Sequence, residues 1–433
     1  MKKRGVKPRS TQTKVKHTIL EKYLKAWGGI IVNGLRGQAK DVHFLYIDCN
    51  ASFGRYNGEL EDSVVNREAQ TIWGSPIIGV KALDGQAAWI TNDTGIHVRT
   101  NSILIEMESN PYNELKRSLE MAGLGHRVRE TDNFPTLKNG EIAILQADST
   151  TMVSQLTSYT QSGYKFSFFV LDPFGPTGIP LNFVHEIIRR PKHDVIIYMP
   201  YLDLQRRSGL VPKQNRSSTN EKLLQNYNEM FGNEEWQSIV RELDSSEMRR
   251  GQESLAIAPQ TTEAIKAGTL ELDLINAYKR SLLSIDKTLT VKSIGLRFPD
   301  KNRTMYYLYL TTHDPTGALK MNEILSEAGY QEYELRWNLK QAKRQPVGQL
   351  TLFDMPAPQL PEPPRTTSEE IGNHILALLG GRTLTRRDIY SAFADEPYFA
   401  PEIDKALRNL RKQKKAFFGG DLRHKTRIQL ERN

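Results

Sequence analysis

Cysteine is almost missing from this 433-residue chain. Cys49 is the sole example, so there is no disulfide framework and no thiolate set for zinc or an iron–sulfur cluster. No run of about 18 apolar residues occurs, which leaves no candidate membrane-spanning helix. Met1 is followed by charge with no hydrophobic leader, and the basic start lacks the apolar spacing of an amphipathic transit peptide. These absences lead us to expect a soluble protein of a bacterial or phage-infected cytoplasm, with no membrane partner. Acid is missing too, locally: Lys2 to Lys16 holds seven basic residues and no Asp or Glu.

The charge that is present leans positive, at +9 net, and it gathers at both ends. From Arg365 onward 14 Lys and Arg face 9 Asp and Glu, a balance that admits a polyanionic partner. Four segments follow from composition and period. Residues 1–14 read as a disordered basic tail, 15–340 as an α/β domain, 341–367 as a Pro-rich linker and 368–433 as a separate small domain.

In the α/β segment, Ile19, Leu20, Tyr23, Leu24 and Trp27 recur at helical spacing. After them come short apolar runs that read as buried parallel strands: "VHFLYIDCN", "NSILIEME", "GEIAILQAD", "KFSFFVLDP" and "HDVIIYMP". Helical stretches such as "NPYNELKRSLEMAG" and "TTMVSQLTSY" separate them. Such alternation specifies an open α/β sheet with ligands at the carboxyl ends of its strands. A helical insertion spans about 202–290, and "TMYYLYLTTHDPTGALKMNEIL" then reads as strand, turn and helix, with Asp314 as N-cap and Pro315 at the first helical position.

Acids close four of these strands. In a methyltransferase-like sheet the first strand ends in an acid and a glycine-bearing loop, here Asp48 and Gly54. Glu106 or Glu108 follows, suited to ribose hydroxyls, and Asp148 is placed to meet an adenine amine. Asp172-Pro173-Phe174-Gly175 stands where amino-group methyltransferases orient a target amine with a carboxylate and stack an aromatic on the base. Asp172 and Phe174 are thus the catalytic candidates, and Asp48, Gly54, Glu106 and Asp148 the cofactor candidates. The alternative is a set of acids that merely cap the helices after them.

The C-terminal segment reads as three helices and a β-hairpin: "SEEIGNHILALLGG", "TRRDIYSAFA", "APEIDKALRNLRKQKK", then "KAFFGGDLRHKTRIQL" around Gly419-Gly420. That order specifies a winged helix-turn-helix. Arg386, Arg387, Arg408, Arg411 and Lys412 on the helices and Arg423, Lys425 and Arg427 on the wing are the DNA-binding candidates. The competing use is a winged helix for protein contacts, with the cations as a solvated face.

The ordered pieces "KHTILEKYLKAW", "YIDCNASFGRY", "WGSPIIG", "ILIEMESNPYNEL", "LQAD", "VLDPFGPTGIPL", "MFGNEEW" and "YYLYLTTHDPTGALKMNEIL" resemble the three-Cys-motif partner proteins over most of residues 16–335. The resemblance implies a Rossmann-like, methyltransferase-related fold. It also implies a companion similar to radical S-adenosylmethionine enzymes, whose three cysteines hold an iron–sulfur cluster that this chain does not. One departure stands out. The family tends to have Ala-Gly-Pro-Gly after the first acid, whereas this chain has Ala51-Ser52-Phe53-Gly54, and two added β-carbons argue against independent S-adenosylmethionine binding.

In the linker, Gln349-Leu350-Thr351-Leu352-Phe353 resembles the bacterial sliding-clamp-binding peptide, with Gln349 as hydrogen-bonding anchor and Leu350, Leu352 and Phe353 as apolar anchors. Flanking prolines keep it extended. The alternative is docking on the chain's own α/β domain. Three functions fit: a DNA-repair or DNA-processing factor working with the cysteine-bearing companion, a nucleic-acid amino-methyltransferase acting alone, and a non-catalytic adaptor.

Overall fold

Asp41–Asp48 (β1) is buried at every position after the first, as a strand covered on both faces must be. In the computed structural model it sits at the centre of an eight-stranded sheet. The structure describes residues 5–35, 37–59, 70–161, 163–213, 217–242, 262–297, 303–344, 366–423 and 425–430, with backbone alone at 262–269 and 331–344. The chain divides into two compact units, the first closing at His313 and the second opening at Asp314.

The first unit is built on that sheet. Arg55–Asn57 (β2) and Thr71–Trp73 (β3) pair apart from it as a two-stranded ribbon. Its other strands are His97–Ile105 (β4), Val128–Glu130 (β5), Ile142–Leu145 (β6), Lys165–Leu171 (β7), His193–Met199 (β8), Thr290–Arg297 (β9) and Thr304–Thr312 (β10). They lie in the order β5-β6-β4-β1-β7-β8-β10-β9. From β5 to β8 all neighbours are parallel, and β10 then runs antiparallel between β8 and β9. This is a Rossmann-like, methyltransferase-type sheet. The order reverses at β1, which lies between β4 and β7, so the topological switch point of the sheet falls beside Asp48.

Thr11–Leu35 (α1) and Ser75–Thr94 (α2) cover the face that carries Phe44 and Tyr46. Gly79 sets how closely α2 lies, because a β-carbon there would stand 2.1 Å from the Tyr46 ring. Ser109–Met121 (α3) follows β4, and Val153–Thr160 (α4) and Leu181–Ile188 (α5) pack on the face with Ile47. Tyr201–Ser208 (α6), Ser218–Phe231 (α7), Glu235–Arg241 (α8) and Thr262–Leu283 (α9) form the insertion between β8 and β9. Tyr227, Phe231, Trp236 and Tyr278 join them to the same core through ring contacts.

Residues 5–14 correct the expectation of a disordered tail. The Arg9 amide donates to the Gly58 carbonyl, Asn57 donates to the Lys7 carbonyl, and the Arg9 guanidinium pairs with Glu59. The helix begins at Thr11. A basic run looks solvated until the distant acid that neutralises it is in view.

The second unit comprises Pro315–Arg344 (α10), Ser368–Leu379 (α11), Leu384–Thr385 (β11), Arg386–Ala392 (α12), Ala400–Lys412 (α13), Ala416–Phe417 (β12) and Arg427–Leu430 (β13). Capping boxes at Thr367/Glu370 and Thr385/Asp388 start α11 and α12, and Gly380 in the left-handed region ends α11. Ile371, Ile375, Ile389, Leu407 and Ile428 form its core, together with Leu319 of α10. Asn322 adds hydrogen bonds to the Glu396 and Tyr398 carbonyls. The unit boundary therefore precedes α10, whereas the sequence pattern places it near 340. Strand, turn and helix read as one motif, yet the helix buries its apolar face with the chain that follows. The small sheet has the order β11-β13-β12, all antiparallel. Among the described residues no helix is long and apolar enough to cross a membrane. Gln349, Leu350, Leu352 and Phe353 lie outside the described residues.

Candidate functional site

The carboxyl ends of β1 and β7 bring two acids together. Asp48 is fully buried and accepts from the Ser75 hydroxyl at 2.7 Å, from the Asn50 amide at 3.1 Å and from the Tyr46 hydroxyl at 3.1 Å. Burial outweighs these bonds, with the charge of nearby Asp172 acting in the same direction, and pushes the Asp48 carboxyl up to about 6. Asn50 links the two, since its Oδ1 accepts from the Asp172 amide at 3.1 Å.

Asp172, a third exposed, is paired with a cation of its own chain. Lys16, from the first turns of α1, places Nζ 2.7 Å from one Asp172 oxygen and 3.0 Å from the other. The ammonium also lies 3.7 Å from the Tyr306 ring centroid and 4.4 Å from that of Tyr198. A carboxylate and two aromatic faces are a complete set of partners for a cation withdrawn from water. His17, the next residue, lies against Tyr56 at 5.5 Å between centroids, and burial with the charges of Arg9 and Lys16 lowers its imidazole to about 3. Phe174 is 78% exposed at the same strand end. Gly178 allows the loop to close under it, because a β-carbon there would fall 2.5 Å from Pro173.

Glu106 ends β4 and is buried; its two oxygens each accept a 2.8 Å bond, from the amides of Ser52 and Glu108. Burial raises its carboxyl. The Met107 amide also favours its charged form, so three backbone donors face this carboxylate. Ser52 meets Glu106 by adopting a left-handed backbone at φ 50°, a conformation that favours glycine. Here the chain keeps the backbone shape of a glycine loop without the glycine.

Gly54 corrects the cofactor assignment. It too is left-handed, at φ 70°, but a β-carbon would press on Leu115 at 2.9 Å and Ser118 at 3.1 Å. The space it spares is for α3, not for a ligand. Arg55 ties the same loop to α3 through Ser118 at 2.7 Å and Glu114 at 2.8 Å. Asp148 is exposed and caps the short helix after it, accepting from the Thr150 amide at 2.9 Å and hydroxyl at 2.8 Å. Capping is the alternative use foreseen for such acids, and at Asp148 it is realised. Lys16, Asn50, Ser75, Tyr198 and Tyr306 belong to the site and were not anticipated. An uncommon sign was visible only in Lys16, a cation within the apolar face of α1.

In the second unit Arg387, Arg408, Arg411, Lys412, Arg423, Lys425 and Arg427 are exposed. Arg411 also braces the hairpin, donating to the Gly420 carbonyl at 3.2 Å and lying 5.0 Å over the Phe418 ring. Arg386 departs from the expectation. Its Nε and Nη2 bind Asp404 at 2.8 and 2.6 Å, and Nη2 reaches the Tyr390 hydroxyl at 2.6 Å, so its charge is spent joining α12 to α13. Among the described residues no cluster of His, Cys, Asp and Glu could hold a metal ion.

The chain matches no protein-family model and no curated protein. Solved structures give distant likenesses. Protein LPL1258 from Legionella pneumophila aligns with a TM-score of 0.32 and 9% identity, over 68% of this chain and 85% of that one. Trm1 from Pyrococcus horikoshii, solved with S-adenosyl-L-methionine, aligns with a TM-score of 0.29 and 13% identity, over 69% of this chain and 54% of that one. YjhP from E. coli gives a TM-score of 0.19 and 10% identity, over 67% and 90%. With scores this low, the fold assignment rests on the strand order itself.

Proposed function

We propose that this chain is a DNA-repair or DNA-processing factor whose α/β unit serves a cysteine-bearing, radical S-adenosylmethionine-type companion. The observation that carries the reading is the Lys16–Asp172 pair. The carboxylate that an amino-methyltransferase would turn toward its substrate is neutralised from within, while Asp48 and Glu106 keep the polar frame of a nucleotide-type pocket. Such a unit holds a ligand without supplying a free catalytic acid. The iron–sulfur chemistry belongs to the companion.

In this reading the second unit is a winged helix-turn-helix, with α13 as the helix in the major groove and the β12–β13 hairpin as the wing. The exposed Arg408, Arg411, Lys412, Arg423 and Lys425 support it, since cations standing in solvent suit phosphate contacts. The linker peptide Gln349–Phe353 attaches the assembly to the sliding clamp. The exposed Phe174 favours a second reading, a self-sufficient amino-methyltransferase in which it stacks on a target base.

Titration calorimetry with S-adenosylmethionine, with and without the companion, separates the two. No heat with the chain alone, and heat with both proteins beyond that given by the companion alone, is the expected result. Binding by the chain alone, together with methyl transfer to DNA lost in Phe174→Ala, would establish the second reading instead.

A further inference from the structure

The outward face of the small sheet in the second unit carries side chains that neither its core nor a helix in a groove requires. On β13, Arg427 and Gln429 are two residues apart and therefore share a face, while Ile428 between them is fully buried. Phe417 of β12 lies directly across from Gln429, and Thr385 of β11 directly across from Arg427. Thr383 completes the row, its hydroxyl 3.4 Å from Gln429 Oε1. These residues line a cavity of about 710 Å³, bordered by Gly419, where a β-carbon would meet open space. Phe417 is 42% exposed within it.

We infer that this face is a pocket for an unpaired nucleobase of DNA, resting on the reading of the second unit as a DNA-binding module. The chemistry is specific to a base. A flat π-face needs an aromatic ring to stack on, and Phe417, on a paired strand and 42% exposed, offers one. The Watson–Crick edge of a base carries both donors and acceptors, which the Gln429 carboxamide matches with one of each and the Arg427 guanidinium with further donors. A base in a duplex cannot enter, because its stacking faces and pairing edge are already occupied. A bulged, flipped or overhanging base has both free. The charge of the stretch that carries Phe417 and Gln429 suits the attached phosphates: between Lys412 and Leu430 there are six cations (Lys412, Lys414, Lys415, Arg423, Lys425 and Arg427) and one acid, Asp421. The groove helix would then hold paired DNA while the sheet samples bases that have left the stack, as suits a factor that acts on damaged or opened DNA.

The test uses the full-length protein and two duplexes of equal length, one fully paired and one with a single unpaired 2-aminopurine. Anisotropy should give about tenfold tighter binding of the second, a stacking contribution of the ordinary size for one base. The 2-aminopurine fluorescence should be quenched on binding. Phe417→Ala should abolish both the preference and the quench while keeping its affinity for paired DNA, and Phe417→Trp should restore them. Should Phe417→Ala melt at a lower temperature than wild type, Gln429→Ala provides the same comparison without touching the ring. Equal affinities of the wild type for the two duplexes, or a quench that survives in Phe417→Ala, would overturn the pocket and leave DNA binding intact. Failure to bind either duplex would remove the DNA reading itself and leave this face to a protein partner.

Discussion

Lys16 and Lys412 carry the same ammonium, and the two units put it to opposite use. Lys16 is 6% exposed, held between two tyrosine rings and the Asp172 carboxylate, whereas Lys412 stands in solvent beside Arg408 and Arg411. A desolvated cation cannot change partner without large cost, so Lys16 fixes the geometry of the strand ends. A solvated cation holds only loose counterions and gives them up when a polyanion arrives. The charge of Lys16 is thus settled within its own unit, whereas that of Lys412 stands in solvent.

The largest expected effect breaks the settled side. Asp172→Ala leaves Lys16 buried without a counter-ion and should lower the unfolding free energy by about 3 kcal/mol, at the lower end for a broken buried pair because Asp172 itself is a third exposed. Denaturant melts of the single variant against Lys16→Met/Asp172→Ala check it. The double variant should recover most of the loss, and a single variant as stable as wild type would deny Lys16 its buried charge.

Asp48 sharpens the comparison through pH. Its folded carboxyl titrates at about 6, above its ordinary range, because of burial. The protonated acid therefore favours the folded state, a contribution fully present below about pH 4 and lost as pH rises through about 6. Asp48→Asn, which cannot ionise, should match wild type at low pH. At pH 8 it should exceed wild type by about 3 kcal/mol, the cost of holding a buried carboxylate ionised there. Parallel stability curves from pH 4 to pH 8 would contradict the assignment.

Neighbouring arginines give the smallest effect and the cleanest contrast. Arg386→Ala should lower stability by about 2 kcal/mol through the lost Asp404 and Tyr390 bonds and, on the proposed DNA-binding reading, leave the salt dependence of that binding unchanged. Arg387→Ala should melt like wild type and reduce the salt slope by about one. Identical behaviour of the two would erase the distinction between committed and available charge.

Local chemistry was sufficient for much of the fold. The runs ending at Asp48, Leu145 and Leu171 are apolar enough to be strands in any context, and Thr385 followed by Asp388 announces its helix. The short polar strand Val128–Glu130 has no such signature and is illegible in the sequence, as is the two-residue Leu384–Thr385. Gly54 and Arg386 show a different limit. Their residue types suited a cofactor loop and a DNA contact, but Leu115 and Asp404, the side chains that decide their roles, come from other elements. Lys16, Asp172, Tyr198 and Tyr306 are spread across most of the unit, and no spacing rule could have joined them.

That spread has a bearing on how the protein is made. Lys16 leaves the ribosome early, Asp172 and Tyr198 much later and Tyr306 last of the four. At roughly 5–20 residues per second, the first and last are separated by some fifteen seconds to a minute of synthesis. For the first part of that interval, until Phe168 of β7 has followed, Tyr23 and Trp27 of α1 lack a ring on which both pack in the finished molecule. The set of partners around the Lys16 ammonium is therefore complete only once Tyr306 has been made, long after the helix that carries it.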